Sequence, residues 1–282
     1  MEPQAHPDEE PVQCSVADGV ALVTLNRPER LNAWTPEMEA ALFAALDAVA
    51  VDPHARVVVL TGAGRGFCAG LDASRIAARG SGAEAAPTRT RPLSGLAAFP
   101  KPVVAAVNGP AVGLGLALAL CCDTRIAADG ARFAAMFTRL GLVGEFGAPW
   151  LLPRIVGWGA AGDLLLSGRT VDAAEALGLR LVERVVPGED LLPAALAYAR
   201  EIARNCSPLS VAATKCLMRD DQDRPFAMSE ADSSARNRAP QMRAEFREGA
   251  AHRRERRPAR FPGLPADHPD VLAWLGTADR DD

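Results

Sequence analysis

Two glycine-bearing turns hold the chemistry this chain can offer. The first, Gly64-Arg65-Gly66-Phe67-Cys68-Ala69-Gly70-Leu71-Asp72, follows the apolar run 56–61. The second, Asn108-Gly109-Pro110-Ala111-Val112-Gly113-Leu114-Gly115, follows the apolar run 102–107. Each is expected to be a buried strand that breaks into a glycine turn and opens a helix, a geometry that leaves backbone N–H groups unpaired and pointing outward. Two such turns side by side can hold one oxyanion between two donors, the electrostatic device of acyl and thioester chemistry. Competing patterns fail. Both 62–67 and 113–118 lack the last glycine or alanine of a dinucleotide fingerprint, and neither GxxxxGKS/T nor GxSxG occurs. The four histidines, His6, His54, His252 and His268, lie outside the turns, and the six cysteines show no CxxC pair and no metal-ligand spacing. No metal site and no Cys/His or Ser/His pair is therefore read, and Cys68 is taken as a packing residue.

Elements able to position such turns are legible on either side. The segments 12–16 and 20–25, joined across Ala17-Asp18-Gly19, predict a β-hairpin. Thr35-Pro36-Glu37 starts a helix, with Thr as N-cap and Pro at the first helical position, that runs to about residue 50. Strand, turn and helix then repeat, followed by a strand at 124–128, and the near-continuous apolar strands imply buried sheets with helices on their faces. Beyond Trp158 the pattern is helical, at 159–166, 172–177, 189–204, 208–218 and 242–257. The chain is read as a disordered leader (1–11), a core (12–205), a helical C-terminal region (206–260) and a weakly structured tail (261–282), in which 271–275 could dock as a short apolar turn. Residues 79–88, rich in small side chains, are read as a mobile lid.

Composition agrees with an ordinary soluble protein: 282 residues, 49% hydrophobic and 23% charged. A net charge of -4 argues against nucleic acid as a partner. The acidic start has no apolar core, and the longest apolar run, 111–122, is too short to span a bilayer, so a cytoplasmic protein with no membrane contact is expected.

At the two turns, and in 25–33, 151–157 and 246–249, the chain resembles the enoyl-CoA hydratase/isomerase (crotonase) superfamily over about residues 20 to 261. The resemblance implies an α/β fold, the crotonase-like ββα spiral core with a helical C-terminal region, assembled as a homotrimer or hexamer. It also implies an acyl-CoA thioester as substrate and no cofactor beyond the CoA that the substrate brings. Matched position by position, the oxyanion donors would be the N–H groups of Leu71 and Leu114, with Arg30, Ala33, Ala69, Gly70, Asp72, Gly113 and Arg253 beside substrate or CoA. The family usually has glycine at the second donor position, so Leu114 is expected to add bulk beside the thioester. For Asp72 two roles are open, a helix N-cap and a contact near the CoA adenine. The arginines of 243–260 either meet CoA phosphates or face solvent.

The same resemblance bears on the reaction. Hydratases hold a water between two glutamates; here the matching positions are Ala117 and Phe137, which cannot transfer protons. Glu145 stands where some double-bond-shifting members keep an acid, and is read as a single proton shuttle, the other reading being a helix first-turn glutamate favoured by the dipole. The expected activity is isomerisation of an enoyl-CoA through a dienolate. Alternatives are an atypical hydratase using Glu145, and a non-catalytic acyl-CoA-binding or RNA-binding relative.

Overall fold

The computed structural model describes residues 10–72 and 91–276. Nine strands are described: β1 (Val12–Ala17), β2 (Val20–Leu25), β3 (Val57–Gly62), β4 (Val103–Val107), β5 (Pro110–Val112), β6 (Thr124–Ala128), β7 (Arg132–Ala134), β8 (Thr170–Asp172) and β9 (Arg184–Val186). The predicted hairpin is present. Asp18 and Gly19 both lie in the left-handed region, at φ 53° and 82°, the two-residue turn whose twist matches that of paired strands. From β2 onward the chain keeps returning to lay the next strand parallel to the last, giving a sheet in the order β1-β2-β3-β4-β6-β9. A second sheet, β5-β7-β8, stands apart. This is the spiral α/β core that the resemblance implied.

Why the parallel strands read as unbroken apolar runs is now physical. Alternate residues of one strand face opposite sides of the sheet, and both sides are covered. Val57, Val59, Val104, Ala106 and Ile126 pack against Leu191, Ala195, Ala199 and Ala203 of one helix, Leu191–Asn205. Val58, Leu60 and Ala105 face the larger core, shared with Met38, Leu42 and Leu46 of α1 (Pro36–Val51) and with Leu116 and Leu118 of α2 (Leu114–Leu120). Thr35 caps α1 as predicted, its hydroxyl accepting from Met38 N at 3.2 Å. The far end of α1 is closed by buried Lys101, whose Nζ donates to Val49 O (2.6 Å) and Asp52 O (2.7 Å).

The remaining helices are α3 (Ala148–Val156), α4 (Trp158–Ser167), α5 (Ala173–Gly178), α6 (Leu191–Asn205), α7 (Pro208–Asp220), α8 (Phe226–Arg238), α9 (Pro240–Glu255) and α10 (Pro269–Leu275). Several readings change. Strand β5 lies within the second turn, ahead of α2, where a direct turn-to-helix step was expected. Helix α3 and strands β7, β8 and β9 were not read, and β8 and β9 fall in a region read as helical. Helix α8 fills a stretch for which no element was read. The described part of the tail is docked, with Phe261, Leu264, Val271 and Trp274 buried, so 261–276 is not weakly structured. The proposed lid at 79–88, the helix after the first turn, and leader residues up to 9 lie outside the described residues. Among the described residues no helix is long and apolar enough to cross a membrane.

Candidate active site: two facing glycine turns

The first turn is held shut by two asparagines. Asn32, wholly buried and left-handed at φ 55°, donates from Nδ2 to Ala63 O (3.0 Å) and Gly66 O (2.7 Å), while its Oδ1 accepts from Arg27 N (2.8 Å). Asn108, at the start of the second turn, donates to Gly64 O (2.9 Å) and Gly66 O (3.1 Å) and accepts from Gly62 N (3.3 Å). The turns are then stitched directly, Cys68 N to Pro110 O and Val112 N to Cys68 O, both at 3.0 Å. Glycine is required by this approach. A Cβ on Gly109 would strike Arg65 O, and one on Gly115 would strike Cys68 O.

That stitching brings two backbone donors together. A Cβ placed on Gly70 would lie 2.8 Å from Val112 O and 4.0 Å from Leu114 N, so the residue before Leu71 abuts the second donor. Trp34 occupies both peptide groups flanking Leu71, donating to Gly70 O (2.7 Å) and accepting from Asp72 N (3.2 Å). The Leu71 N–H therefore points away from Trp34. Leu114 opens α2, where a first-turn N–H has no intrahelical partner. Its neighbour Gly113 donates to Ala134 O at 2.8 Å, and Gly113 O receives Ala117 N at 3.0 Å. Among the described residues neither the Leu71 nor the Leu114 N–H has an acceptor. Two adjacent unpaired amides form a ready anion cradle. The Leu114 side chain is buried, 2% exposed, within the main core.

Glu145 lies in an irregular stretch ahead of α3, not in a helix first turn. Its carbonyl accepts from Ala148 N at 3.1 Å, and Phe146 (φ 58°) and Gly147 (φ 78°) reverse the chain immediately after it. The residue is half-buried, with Leu142 and Phe146 packed on the core, and among the described residues its carboxylate has no hydrogen bond or ion pair. Helix α3, which begins three residues after Glu145, packs on α2, which begins with Leu114. Ala117 (0% exposed) and Phe137 (5% exposed) are sealed in the core.

The other expected residues divide. Ala69 N donates to Leu31 O (3.0 Å), and Ala33 O receives Arg27 (2.6 Å), so both are parts of the turn's frame. Asp72 meets Arg27 at 3.2 Å, an ion pair that braces the first donor turn from outside. Arg30 sits exposed on a short turn, Pro28–Arg30, beside that frame. Arg253 is exposed on α9. Its neighbour Arg257 is tied to Glu248 (2.6 Å) and Glu255 (2.7 Å), and the guanidinium holds the Glu248 carboxyl down to about 2; Arg257 is thus internally paired. Cys68 is buried, which pushes its thiol up to about 12 and agrees with a packing role. Among the described residues no cluster could hold a metal ion. Asn32 and Asn108, the staples of the site, went unassigned from sequence; Asn108 opens the second turn, but Asn32 lies some thirty residues before the first, so only the residue type, which tolerates left-handed backbone, was a signal there.

Comparison with known proteins follows this geometry. Residues 15–263 match the family model described as Enoyl-CoA hydratase/isomerase. A putative enoyl-CoA hydratase of Thermus thermophilus is 44% identical over 204 residues, 71% of this chain and 80% of that protein. A 1,2-epoxyphenylacetyl-CoA isomerase of Escherichia coli is 43% identical over 194 residues, 67% of this chain and 74% of its own. A crystal structure of a probable enoyl-CoA hydratase/isomerase from Mycobacterium abscessus superposes with a TM-score of 0.83 at 35% identity, covering 90% of this chain and 99% of that one.

Proposed function

The chain belongs to the enoyl-CoA hydratase/isomerase family, and from that premise we propose that it shifts the double bond of an enoyl-CoA, with Glu145 as the only proton carrier. The thioester oxygen of a 3-enoyl substrate lies between the N–H groups of Leu71 and Leu114. Glu145 takes a proton from C2, and the electron pair moves through C2 onto the thioester oxygen, giving a dienolate. The two amides stabilise that charge as it develops, which is where fixed donors act most strongly. Glu145 then returns its proton at C4, the electrons flow back, and the conjugated 2-enoyl thioester leaves. Atoms and charge balance without water, and the step draws on no cofactor beyond the CoA of the substrate.

The observation that carries this reading is a Glu145 carboxylate and two backbone amides, each without a partner among the described residues, with an alanine and a phenylalanine sealed where a hydratase's carboxylates would stand. Of the two relatives above, one is named a 1,2-epoxyphenylacetyl-CoA isomerase and the other a putative enoyl-CoA hydratase, so the reading rests on the site. Arg30 and Arg253, exposed on the frame and on α9, remain the proposed CoA contacts. The test is Glu145→Gln, which keeps shape and removes the base. Conversion of 3-enoyl-CoA to 2-enoyl-CoA should fall by ~10²-fold or more while acyl-CoA binding persists. Equal turnover by parent and variant would remove Glu145 from the mechanism, and a product one water heavier would replace isomerisation with hydration.

A further inference from the structure

The docked tail has a consequence for the site. Trp274 of α10 is 7% exposed and wedged between two aromatic rings: Phe99, edge-on at 5.0 Å, and Phe43 of α1, tilted at 5.9 Å. Its indole Nε1 donates to Asp47 Oδ1 at 2.7 Å. The same oxygen receives Arg91 at 2.6 Å, and the Arg91 guanidinium lies over both the Trp274 ring (4.6 Å) and the Phe43 ring (5.2 Å). One indole thus holds Arg91 and Phe99 together. Those two residues bracket the short turn Leu93–Ala98, whose Leu93 and Leu96 are fully buried.

That turn touches both halves of the proposed machinery. It packs against α2, which opens with the Leu114 donor. Ser94 faces Gly147, two residues after Glu145, its Cβ 3.5 Å from where a Cβ on Gly147 would stand. An indole, an aspartate, an arginine and a phenylalanine therefore fix the ledge on which the acid and one amide rest. A tail attached only for stability would need apolar burial alone, which Val271 and Leu264 already provide. Instead, Asp47 is shared between the tail and Arg91, two residues before the ledge.

We propose that Trp274 is a positioning residue for the reaction, and that the C-terminal helix α10 sets the spacing between Glu145 and the Leu114 amide through Arg91, Phe99 and the turn Leu93–Ala98. The proposal rests on the isomerase reading of that pair, and the experiment separates the two. Trp274→Ala and Trp274→Phe are compared with the parent, and with Val12→Ala, a buried residue of β1, as a control for lost stability. Turnover of 3-enoyl-CoA is measured well below the unfolding temperature, alongside hydrogen exchange by mass spectrometry. Trp274→Ala should lower kcat about tenfold with KM within about twofold, because a sub-ångström displacement of reacting groups is felt in the chemical step. Trp274→Phe, which keeps ring packing and loses only the bond to Asp47, should recover part of the rate. Peptides spanning 91–99 and 141–150 should exchange faster in Trp274→Ala and remain as in the parent in Val12→Ala. An active parent whose Trp274→Ala variant keeps its kcat overturns the proposal, as does unchanged exchange in those peptides. A parent that turns over no enoyl-CoA defeats the isomerase reading, and the exchange result then decides the positioning claim by itself.

Discussion

Deleting a single backbone donor gives the sharpest test of the site. Leu114 is the first residue of α2, so its N–H makes no helical bond and proline can replace it without breaking the ladder. Gly113 before it, at φ 53° and ψ -111°, is outside the right-handed helical region that a following proline disfavours. Leu114→Pro therefore removes one oxyanion donor and most of a buried side chain, while Leu114→Ala removes side chain and keeps the donor. The alanine variant sets the cost of the cavity, about 2–5 kcal/mol of stability for a buried leucine, without touching the amide. Against that reference the proline variant should lose a further ~10²–10³ in kcat, or about 3–4 kcal/mol of transition-state stabilisation. Turnover is followed by the ultraviolet absorbance of the conjugated thioester, at a temperature where both variants give the parent's circular dichroism. Two folded variants with the same kcat would show that the Leu114 amide holds no developing charge, and the oxyanion assignment would fall.

Two further outcomes follow from the structure. Burial pushes the Lys101 ammonium down from 10.5 to about 8, with Asp52 opposing, so between about pH 8 and 10.5 the unfolded chain binds more protons and stability rises with pH. Burial of Cys68 and Cys121 raises their thiols, which works the other way above pH 9. Comparing parent with Lys101→Met cancels those thiols: the difference in unfolding free energy should grow by on the order of 3 kcal/mol across the window, and a flat difference would refute the shift. The proposed trimer or hexamer needs a partner surface, and Val143, Trp158 and Leu166 stand 81%, 84% and 78% exposed. Light scattering should give a multiple of the chain mass that drops when Trp158 and Leu166 become aspartate; a monomeric parent would reject the assembly.

Local patterns were legible where one element carries its own signal. Thr35-Pro36 announces α1 because cap and first-turn geometry depend on adjacent residues. The valine runs announce buried parallel strands because each face has its own cover. The glycines at 109 and 115 announce a close approach, and the structure supplies the carbonyls they admit. What stayed hidden depends on distant partners. The run 271–275 could be read as a docking turn, but not where Trp274 docks, because Asp47, Phe43 and Phe99 are far away in sequence. For Arg257 both phosphate and solvent were open, and nothing in the arm's basic pattern shows that Glu248 folds onto it. For Glu145, the sequence placed the acid but not its setting, since the reversal at Phe146 and Gly147 that keeps it out of α3 comes from backbone conformation.

That setting bears on why one scaffold can favour one reaction over another. Polarising a thioester needs only the two amides, and these are indifferent to side chains, so hydration and isomerisation can share them. The choice falls to whatever carries protons nearby. Here Ala117 has no exposed surface and Phe137 very little, and both belong to the core around α2. A carboxylate at either place would have to ionise among apolar side chains, at a cost of several kcal/mol unless the core opened to hydrate it. On the proposed reading, this apolar filling disfavours a carboxylate at either position. Glu145 is set differently: its stretch runs half-buried along the edge of the core, with Val143 two residues away in solvent. That is the place from which the proposed single shuttle would act. The same argument explains why the ledge beneath it matters. A lone base must serve two carbons in turn, so its position carries demands that a pair of bases would divide.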